Sequence, residues 1–219
     1  MSTSFYPKNN VKHFARIKDL APEQLQAFNE FGKAAMKEGA LSRKEKEIIA
    51  VAIAHVTECP YCIDSHTKAA KKAGATLEEL TEAVFVVAAI EAGGAVTHST
   101  HVHNANTQDA SDTLYARSNL KLLGQLGKFA PDGFKAYGAF SATATKEGKL
   151  TSKFKEIIAV AVANATQCPY CIDVHTKNAV KLGTTNEELA EAIMVTAALR
   201  AGGAYAHIAN LIQSYEEVE

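Results

Sequence analysis

The chain has 219 residues, 47% of them hydrophobic, and a formal charge of −1 at neutral pH. This length suits one large or two small domains, and the apolar fraction is sufficient for a globular core. A formal charge this close to zero does not suggest nucleic acid or an anionic membrane as a partner, so neither is expected. No run is read as long and apolar enough to span a membrane, and residues 1–7 do not resemble a signal peptide, so a cytoplasmic location is expected.

The first half of the chain predicts helices only, because no segment shows the alternation of a strand. Residues 1–21 are mixed in character and are predicted to form an irregular arm. Ser42 with Glu45 and Thr76 with Glu79 have the spacing of capping boxes. Helices are predicted from Pro22 to Lys37, from Ser42 through Ala54, from Cys59 to about Gly74, from Leu77 to Ala92 and from Ala95 to about Ala105, with a break at Gly93-Gly94.

The second half repeats this plan. The stretch Cys59–His66 recurs as Cys168–His175, 109 positions later (168 − 59), and Lys46–Ala52 is identical to Lys155–Ala161. The sequence therefore predicts an all-α tandem duplication whose two units pack about a pseudo-twofold axis. The predicted divisions are an arm at residues 1–21, a first repeat at 22–106, a linker at 107–130 and a second repeat at 131–219.

The repeated Cys-Pro-Tyr-Cys stretch carries the chemistry of each unit. Proline is favoured at the first position of a helix, so Cys59 is predicted to be the N-cap residue, with Cys62 in the first turn. The free N–H groups and the dipole of a helix N-terminus lower a thiol pKa, which favours Cys59 as the more acidic thiol. Offsets of 0, 3 and 7 place Cys59, Cys62 and His66 on one helix face, where an imidazole can move the protons that thiol chemistry needs.

The cysteine pairs could be zinc ligands or redox-active dithiols. A zinc site would use Cys59, Cys62 and His66, with Glu47 as a fourth ligand. Structural zinc sites are usually closed by cysteine and histidine alone, and paired cysteines in a reducing compartment favour redox chemistry. No metal or cofactor is therefore expected. Because no flavin or haem motif is present, electrons should come from a protein thiol or a small thiol.

The spacing E-x11-C-x2-C-x3-H, present twice, resembles the alkylhydroperoxidase D-like branch of the carboxymuconolactone decarboxylase superfamily. The resemblance covers about residues 22–106 and 131–215 and implies an all-α thiol-dependent peroxidase or disulfide oxidoreductase. It implies that the second cysteine of each pair attacks the hydroperoxide and that the first is the resolving thiol. The implied site residues are the attacking Cys62 and Cys171, the resolving Cys59 and Cys168, and a proton relay of Glu47, His66, Glu156 and His175.

Four further residues are candidates for supporting roles. Tyr61 and Tyr170 stand where the founding peroxidase of the family has histidine, and a phenol is a poorer proton shuttle at neutral pH. His98 and His207 recur after the Gly-Gly pairs, where an active-site role and simple packing both remain open. A metal site formed by His98 and His101 is less favoured than a solvated histidine cluster.

The expected partners follow from this interpretation. They are a hydroperoxide substrate and an unidentified thiol or dithiol reductant. The resemblance also implies a homo-oligomer, most simply a trimer. Members of the family with a single repeat are expected to form hexamers, and three chains with two repeats each would be equivalent to six single repeats. The alternatives to a peroxidase are a general disulfide oxidoreductase and a metal-binding or redox-sensing module without turnover.

Overall fold

The computed structural model describes residues 6–107 and 113–217 and confirms the all-α prediction, since the described residues contain no strand. The first five residues of the predicted arm, residues 108–112 of the predicted linker and residues 218–219 lie outside that description. In the first half, a 3₁₀ helix at Lys8–His13 precedes α1 (Phe14–Leu20), α2 (Pro22–Ala35), α3 (Arg43–Val56), α4 (Pro60–Lys72) and α5 (Leu77–Ala105). In the second half, a 3₁₀ helix at Arg117–Leu122 precedes α6 (Leu123–Phe129), α7 (Pro131–Thr145), α8 (Ser152–Thr166), α9 (Pro169–Lys181), α10 (Asn186–Ala206) and α11 (Ile208–Glu216).

The predicted helix starts are present in the structure. Ser42 opens α3 and Thr76 opens α5 with complete capping boxes, and Thr185 does the same for α10. Thr151 caps α8 through its hydroxyl alone, which accepts the N–H of Phe154. These caps satisfy backbone donors that have no partner within the helix, so they set where each helix begins.

The predicted break at Gly93-Gly94 is wrong, because α5 runs without interruption over 29 residues. Gly93 is explained by packing, because the side chain of Tyr137 approaches the helix backbone at this position. A Cβ at Gly93 would lie 2.7 Å from the hydroxyl oxygen of Tyr137. In the second repeat, α10 also passes through Gly202-Gly203 and ends only at Ala206, so α11 is separate. Glycine weakens a helix by about 1 kcal/mol, which packing on both sides outweighs here.

The uninterrupted α5 also corrects the prediction about membrane spans. By length and composition it is apolar enough to cross a membrane, with a mean hydropathy of 1.5 over its most apolar window. Core helices of soluble proteins pass the same test. α5 packs against α3, α7 and α8, and 39% of that window is buried by this packing.

The described part of the arm is helical, contrary to the prediction of an irregular segment, and the described part of the linker repeats it. A 3₁₀ helix followed by a short α-helix occurs at Lys8–Leu20 and again at Arg117–Phe129, and the offset is 109 positions once more (117 − 8). Each segment is held to the Cys-Pro-Tyr-Cys helix of its own repeat by an equivalent ion pair. Lys8 Nζ lies 3.2 Å from Asp64 Oδ1, and Arg117 Nε lies 2.7 Å from Asp173 Oδ1. The helical pattern of each repeat therefore begins upstream of residues 22 and 131.

One hydrophobic core serves both repeats. Its centre is formed by α3 and α8, which contact each other and are buried along nearly their whole length. α5 packs on both α3 and α8, and α10 does the same. Each repeat therefore contributes its long helix to the burial of the other repeat's central helix, and the main cluster of buried apolar residues contains residues of both repeats.

A buried lysine at the start of each central helix is neutralised by the opposite repeat. Lys46 is 2% exposed, and its Nζ lies 3.0 Å from Oε2 of Glu191 on α10. The same carboxylate accepts the backbone N–H groups of Ala40 at 2.8 Å and Leu41 at 2.9 Å. A Cβ at Gly39 would lie 2.0 Å from Glu191 Oε1, so only glycine leaves room for this carboxylate.

A reciprocal ion pair joins α8 to α5. Lys155 is 3% exposed, and its Nζ lies 2.9 Å from Oε2 of Glu82 on α5. Glu82 also accepts the N–H groups of Lys149 and Leu150, each at 2.9 Å. Burial alone would raise the pKa of Glu82, but these backbone donors and Lys155 lower it to about 2.

We expect Glu82→Gln and Glu191→Gln each to lower the free energy of unfolding by on the order of 3 kcal/mol, because each leaves a buried lysine without its counter-charge. Urea denaturation at neutral pH measures the change, and Glu23→Gln on the exposed face of α2 is the control. Because the folded pKa of Glu82 lies below its ordinary value of 4.5, its contribution is present above about pH 4.5 and is lost as the pH falls toward 2. Variants as stable as the control would contradict the role of these pairs.

Candidate functional site

The first dithiol lies at the N-terminus of α4. Cys59 is the N-cap residue and Pro60 the first helical residue, as the sequence predicts. The Cys59 Sγ accepts the backbone N–H of Cys62 at 3.3 Å, so the sulfur occupies the place of a capping oxygen. Hydrogen bonds from the Cys62 side chain and backbone, with the nearby His207, lower the pKa of Cys59 to about 6 despite its burial.

Cys62 behaves in the opposite way. Its hydrogen bond to Cys59, its burial and the negative charge on Cys59 all raise its pKa. The two thiols titrate as a pair, and at neutral pH they hold one proton between them. The lowered pKa of Cys59 and the raised pKa of Cys62 favour the thiolate on Cys59, which the backbone N–H of Cys62 stabilises.

A buried carboxylate and an imidazole accompany this pair. Glu47 on α3 is 1% exposed, and its Oε2 lies 2.9 Å from Nδ1 of His66 on α4. Its other oxygen, Oε1, forms an ion pair with Arg43, one turn earlier on α3. A charged carboxylate in the interior needs such partners, and one that bonds Nδ1 of an imidazole orients the ring and leaves Nε2 for proton transfer.

The second dithiol repeats this geometry. Cys168 is the N-cap residue of α9, and its Sγ lies 3.5 Å from the backbone nitrogen of Cys171. His175 Nδ1 lies 2.7 Å from Glu156 Oε2. Burial, together with the hydrogen bond to Cys168, raises the pKa of Cys171 to about 12.

The partner of the glutamate differs between the sites. Ser152 stands where the first repeat has Arg43 (152 − 43 = 109), so Glu156 has no arginine on its own helix. Instead Asn178 Nδ2 lies 3.4 Å from Glu156 Oε1. The Glu47–His66 pair therefore lies beside a full positive charge, whereas the Glu156–His175 pair lies beside a neutral amide.

The two supporting histidines lie at the opposite repeat's dithiol. His207, from the end of α10, packs on Tyr61, with ring centroids 6.3 Å apart, and on Tyr6 at 5.8 Å. His98, from α5, packs on Tyr170 at 6.2 Å. Among the residues that the structure describes, the buried Nε2 atoms of both histidines have no hydrogen-bond partner. Each site is therefore assembled from both repeats.

Sequence reasoning missed several residues at the sites. The Oγ1 of Thr97 on α5 lies 3.5 Å from Cys168 Sγ and 4.0 Å from Cys171 Sγ. Its counterpart at the first dithiol is Ala206, so no pattern common to the two repeats could have revealed it. Tyr6 and Tyr115 were also missed, although both stand 109 positions apart at the start of the repeated arm.

A pocket of about 350 Å³ opens beside the first dithiol. Cys62 and His66 line it, whereas Cys59 is fully buried behind it. Within residues 6–107 and 113–217, no group of three or more His, Cys, Asp or Glu side chains is arranged to hold a metal ion. The geometry provides an acidic dithiol, a buried carboxylate–imidazole pair and space for a small molecule at one point.

We expect the first dithiol to ionise near pH 6. In a Cys168→Ser, Cys171→Ser background, the ultraviolet absorbance of thiolate should rise as the pH increases through about 6, because Cys59 loses its proton there. Adding Cys59→Ser should move the titration to higher pH, since the remaining Cys62 is buried. A midpoint near the ordinary thiol value of 9.0 in the protein that keeps Cys59 would contradict the N-cap argument.

Curated relatives match this chain over less than half of its length but most of their own. An uncharacterised protein of the cox locus of Paracoccus denitrificans is 47% identical over 97 residues, which are 44% of this chain and 87% of the relative. An uncharacterised protein of Haemophilus influenzae is 40% identical over 95 residues, 43% of this chain and 84% of the relative. An uncharacterised protein of Cupriavidus necator is 34% identical over 79 residues, which are 36% of this chain and 70% of the relative.

A solved structure and a family profile cover the whole arrangement. The crystal structure of a Burkholderia xenovorans protein, described as a gamma-carboxymuconolactone decarboxylase subunit, superposes with a TM-score of 0.68 at 23% identity, over 93% of this chain and 90% of that one. At this identity the likeness concerns the fold. The model of the carboxymuconolactone decarboxylase family matches residues 22–104 and again 131–214. The chain therefore belongs to the carboxymuconolactone decarboxylase family and carries its characteristic unit twice.

Proposed function

We propose that this protein is a thiol-dependent peroxidase that reduces hydroperoxides at its two Cys-x-x-Cys pairs. The observation that carries the proposal is the arrangement at the first dithiol. There an N-cap thiol with a pKa of about 6 lies in a site with a buried glutamate–histidine pair and a pocket. The family contains decarboxylase and peroxidase-like members, and paired cysteines belong to the peroxidase-like chemistry.

The reaction has two steps at each site. A thiolate attacks one oxygen of the hydroperoxide, the O–O bond breaks, and the sulfur is oxidised by two electrons to sulfenic acid while an alcohol leaves with a proton. The other thiol then attacks the sulfenic sulfur, which releases water and forms the disulfide. An external thiol or dithiol reduces the disulfide and restores both thiols.

Cys62 is the attacking residue in this proposal, because it lines the pocket and Cys59 does not. Cys62 must lose its proton before it attacks, and the Cys62 side chain is already hydrogen-bonded to the charged Cys59 sulfur. Proton transfer to Cys59 activates Cys62 and leaves Cys59 as a neutral thiol that can later resolve the sulfenic acid. Cys171 and Cys168 take the same roles at the second site.

The histidine and glutamate supply the leaving group's proton. His66 lines the pocket, and Glu47 holds its Nδ1, so Nε2 can carry a proton toward the departing alkoxide. Arg43 forms an ion pair with Glu47 and holds it in place. His175 and Glu156 do the same at the second site.

A trapping experiment tests which cysteine attacks. In the Cys168→Ser, Cys171→Ser background, Cys59→Ser should react once with hydroperoxide and leave a sulfenic acid on Cys62, because no resolving thiol remains. The reaction is run above the ordinary thiol pKa of 9.0, because Cys59 is no longer present to take the proton of Cys62. Cys62→Ser should give no such product. Dimedone labelling with mass spectrometry locates the adduct. An adduct on Cys59 in the Cys62→Ser protein would exchange the two roles, and no adduct in either variant would contradict the peroxidase proposal.

We expect Glu47→Gln and His66→Ala to slow peroxide reduction by about 10²- to 10⁴-fold in the same background, the range for loss of general acid–base help. Stopped-flow consumption of hydroperoxide measures the rate, and Glu23→Gln is the matched surface control. Normal rates in both variants would remove the relay from the mechanism. Normal rates of disulfide reduction alongside lost peroxide reduction would favour a general disulfide oxidoreductase.

A further inference from the structure

The duplication allows the two sites to be compared position by position, because each residue of one has a counterpart 109 positions away. The pocket at the first dithiol is lined largely by aromatic rings. They come from both repeats: Phe14 on α1, Phe28 on α2, Tyr61 on α4 and Tyr205 on α10. The pocket thus combines a thiol and an imidazole with an aromatic wall, and the Lys8–Asp64 ion pair also lines it.

Three of the rings form a stack. The Phe28 and Tyr205 centroids are 4.5 Å apart at an interplanar angle of 20°, and the Phe14 and Tyr205 centroids are 5.4 Å apart at 28°. Stacked rings are rigid, so a ligand that packs on them loses little of its binding energy to ordering the wall. Tyr205 is the central member, because it contacts both of the others.

The stack has no equivalent at the second dithiol. The counterparts of Tyr205 and Phe14 are Val96 and Leu123 (205 − 109 and 14 + 109). The counterpart of Phe28 is Tyr137, whose hydroxyl lies against Gly93. With Thr97 in place of Ala206, the second site also has a hydroxyl group beside its sulfurs where the first has a methyl group.

The tyrosine of the Cys-Pro-Tyr-Cys stretch is also held differently. Tyr170 is 2% exposed; its hydroxyl donates to the Leu114 carbonyl at 3.0 Å and accepts from Asn119 Nδ2 at 2.9 Å. At the first site Asn10 Nδ2 donates instead to Gln213 Oε1, at 2.6 Å. Tyr61 is only half-buried, and its hydroxyl has no hydrogen-bond partner among the described residues. The arm therefore holds Tyr170 by two hydrogen bonds at the second site, whereas no such bond fixes the Tyr61 hydroxyl at the first.

We propose that the two dithiols take different substrates: the first binds bulky aromatic or apolar hydroperoxides against the Phe14–Tyr205–Phe28 stack, and the second is restricted to small ones such as hydrogen peroxide. This division rests on the proposed peroxidase function. The chemistry is the same at both sites, with an alcohol leaving from the first and water from the second. The difference lies in what each site can hold beside its attacking sulfur.

Two single-site proteins test the division. One keeps the first dithiol and carries Cys168→Ser with Cys171→Ser, and the other keeps the second and carries Cys59→Ser with Cys62→Ser. Consumption of cumene hydroperoxide and of hydrogen peroxide is measured with dithiothreitol as reductant. The ratio of kcat/KM values, cumene over hydrogen peroxide, is expected to be about tenfold or more higher for the first site, as one apolar contact surface can provide. Equal ratios would overturn the division and leave the peroxidase proposal intact.

A substitution locates the cause in the stack. Tyr205→Val places the second site's residue in the first and should lower kcat/KM for cumene hydroperoxide about tenfold more than for hydrogen peroxide. Tyr215→Val, at a tyrosine that is 82% exposed on α11, is the control and should leave the ratio unchanged. If Tyr205→Val also leaves it unchanged, the stack does not select the substrate.

A binding measurement keeps the inference testable if neither protein turns over. Cumyl alcohol, the product of cumene hydroperoxide, should perturb the NMR signals of the aromatic residues of the pocket in the protein that keeps the first dithiol. Tyr205→Val should weaken this binding. If cumyl alcohol binds but no peroxide is consumed, the peroxidase chemistry is rejected and the aromatic pocket is supported. If cumyl alcohol does not bind and no peroxide is consumed, the pocket is rejected as well.

Discussion

The structure depends on the neutralisation of two buried lysines by glutamates from the opposite repeat. Lys46 and Lys155 begin the central helices, where an unpaired ammonium group would cost several kcal/mol. Glu191 and Glu82 supply the missing charge, and each also accepts two backbone N–H groups from the loop that precedes the partner's helix. The arrangement sets the register of the two repeats, because a shift by one residue would separate both charges from their partners.

The same packing explains why each dithiol site is assembled from both repeats. α5 lies on α8 and α10 lies on α3, so the later part of each long helix reaches the other repeat's cysteines. Thr97 and His98 reach the second dithiol in this way, and His207 reaches the first. A single repeat of this chain would therefore have its cysteines, glutamate and histidine, but neither the second wall of its site nor a closed core.

Duplication has also allowed the two sites to diverge while their central geometry stays the same. The glutamate–histidine distances are 2.9 and 2.7 Å, and both first cysteines are N-cap residues. The surroundings differ, with Arg43 against Asn178 near the carboxylates and Ala206 against Thr97 near the sulfurs. These changes affect residues next to the reacting groups and not the reacting groups themselves. They can therefore alter the ionisation of the site and the size of the substrate it accepts while both thiols remain.

The sequence by itself determined the all-α class, the duplication, the N-cap position of Cys59 and the capping boxes, because these depend on residues within one helical turn or on a fixed repeat. It did not predict that Gly93-Gly94 would continue a helix, because the reason is a distant tyrosine that packs against Gly93. The regular arm was missed, since short helices held by tertiary contacts show little periodicity. The cross-repeat placement of Thr97, His98 and His207, and the pairing of Lys46 with Glu191, were decided by the tertiary structure alone. They join residues far apart in the chain, and no local pattern records which faces will meet.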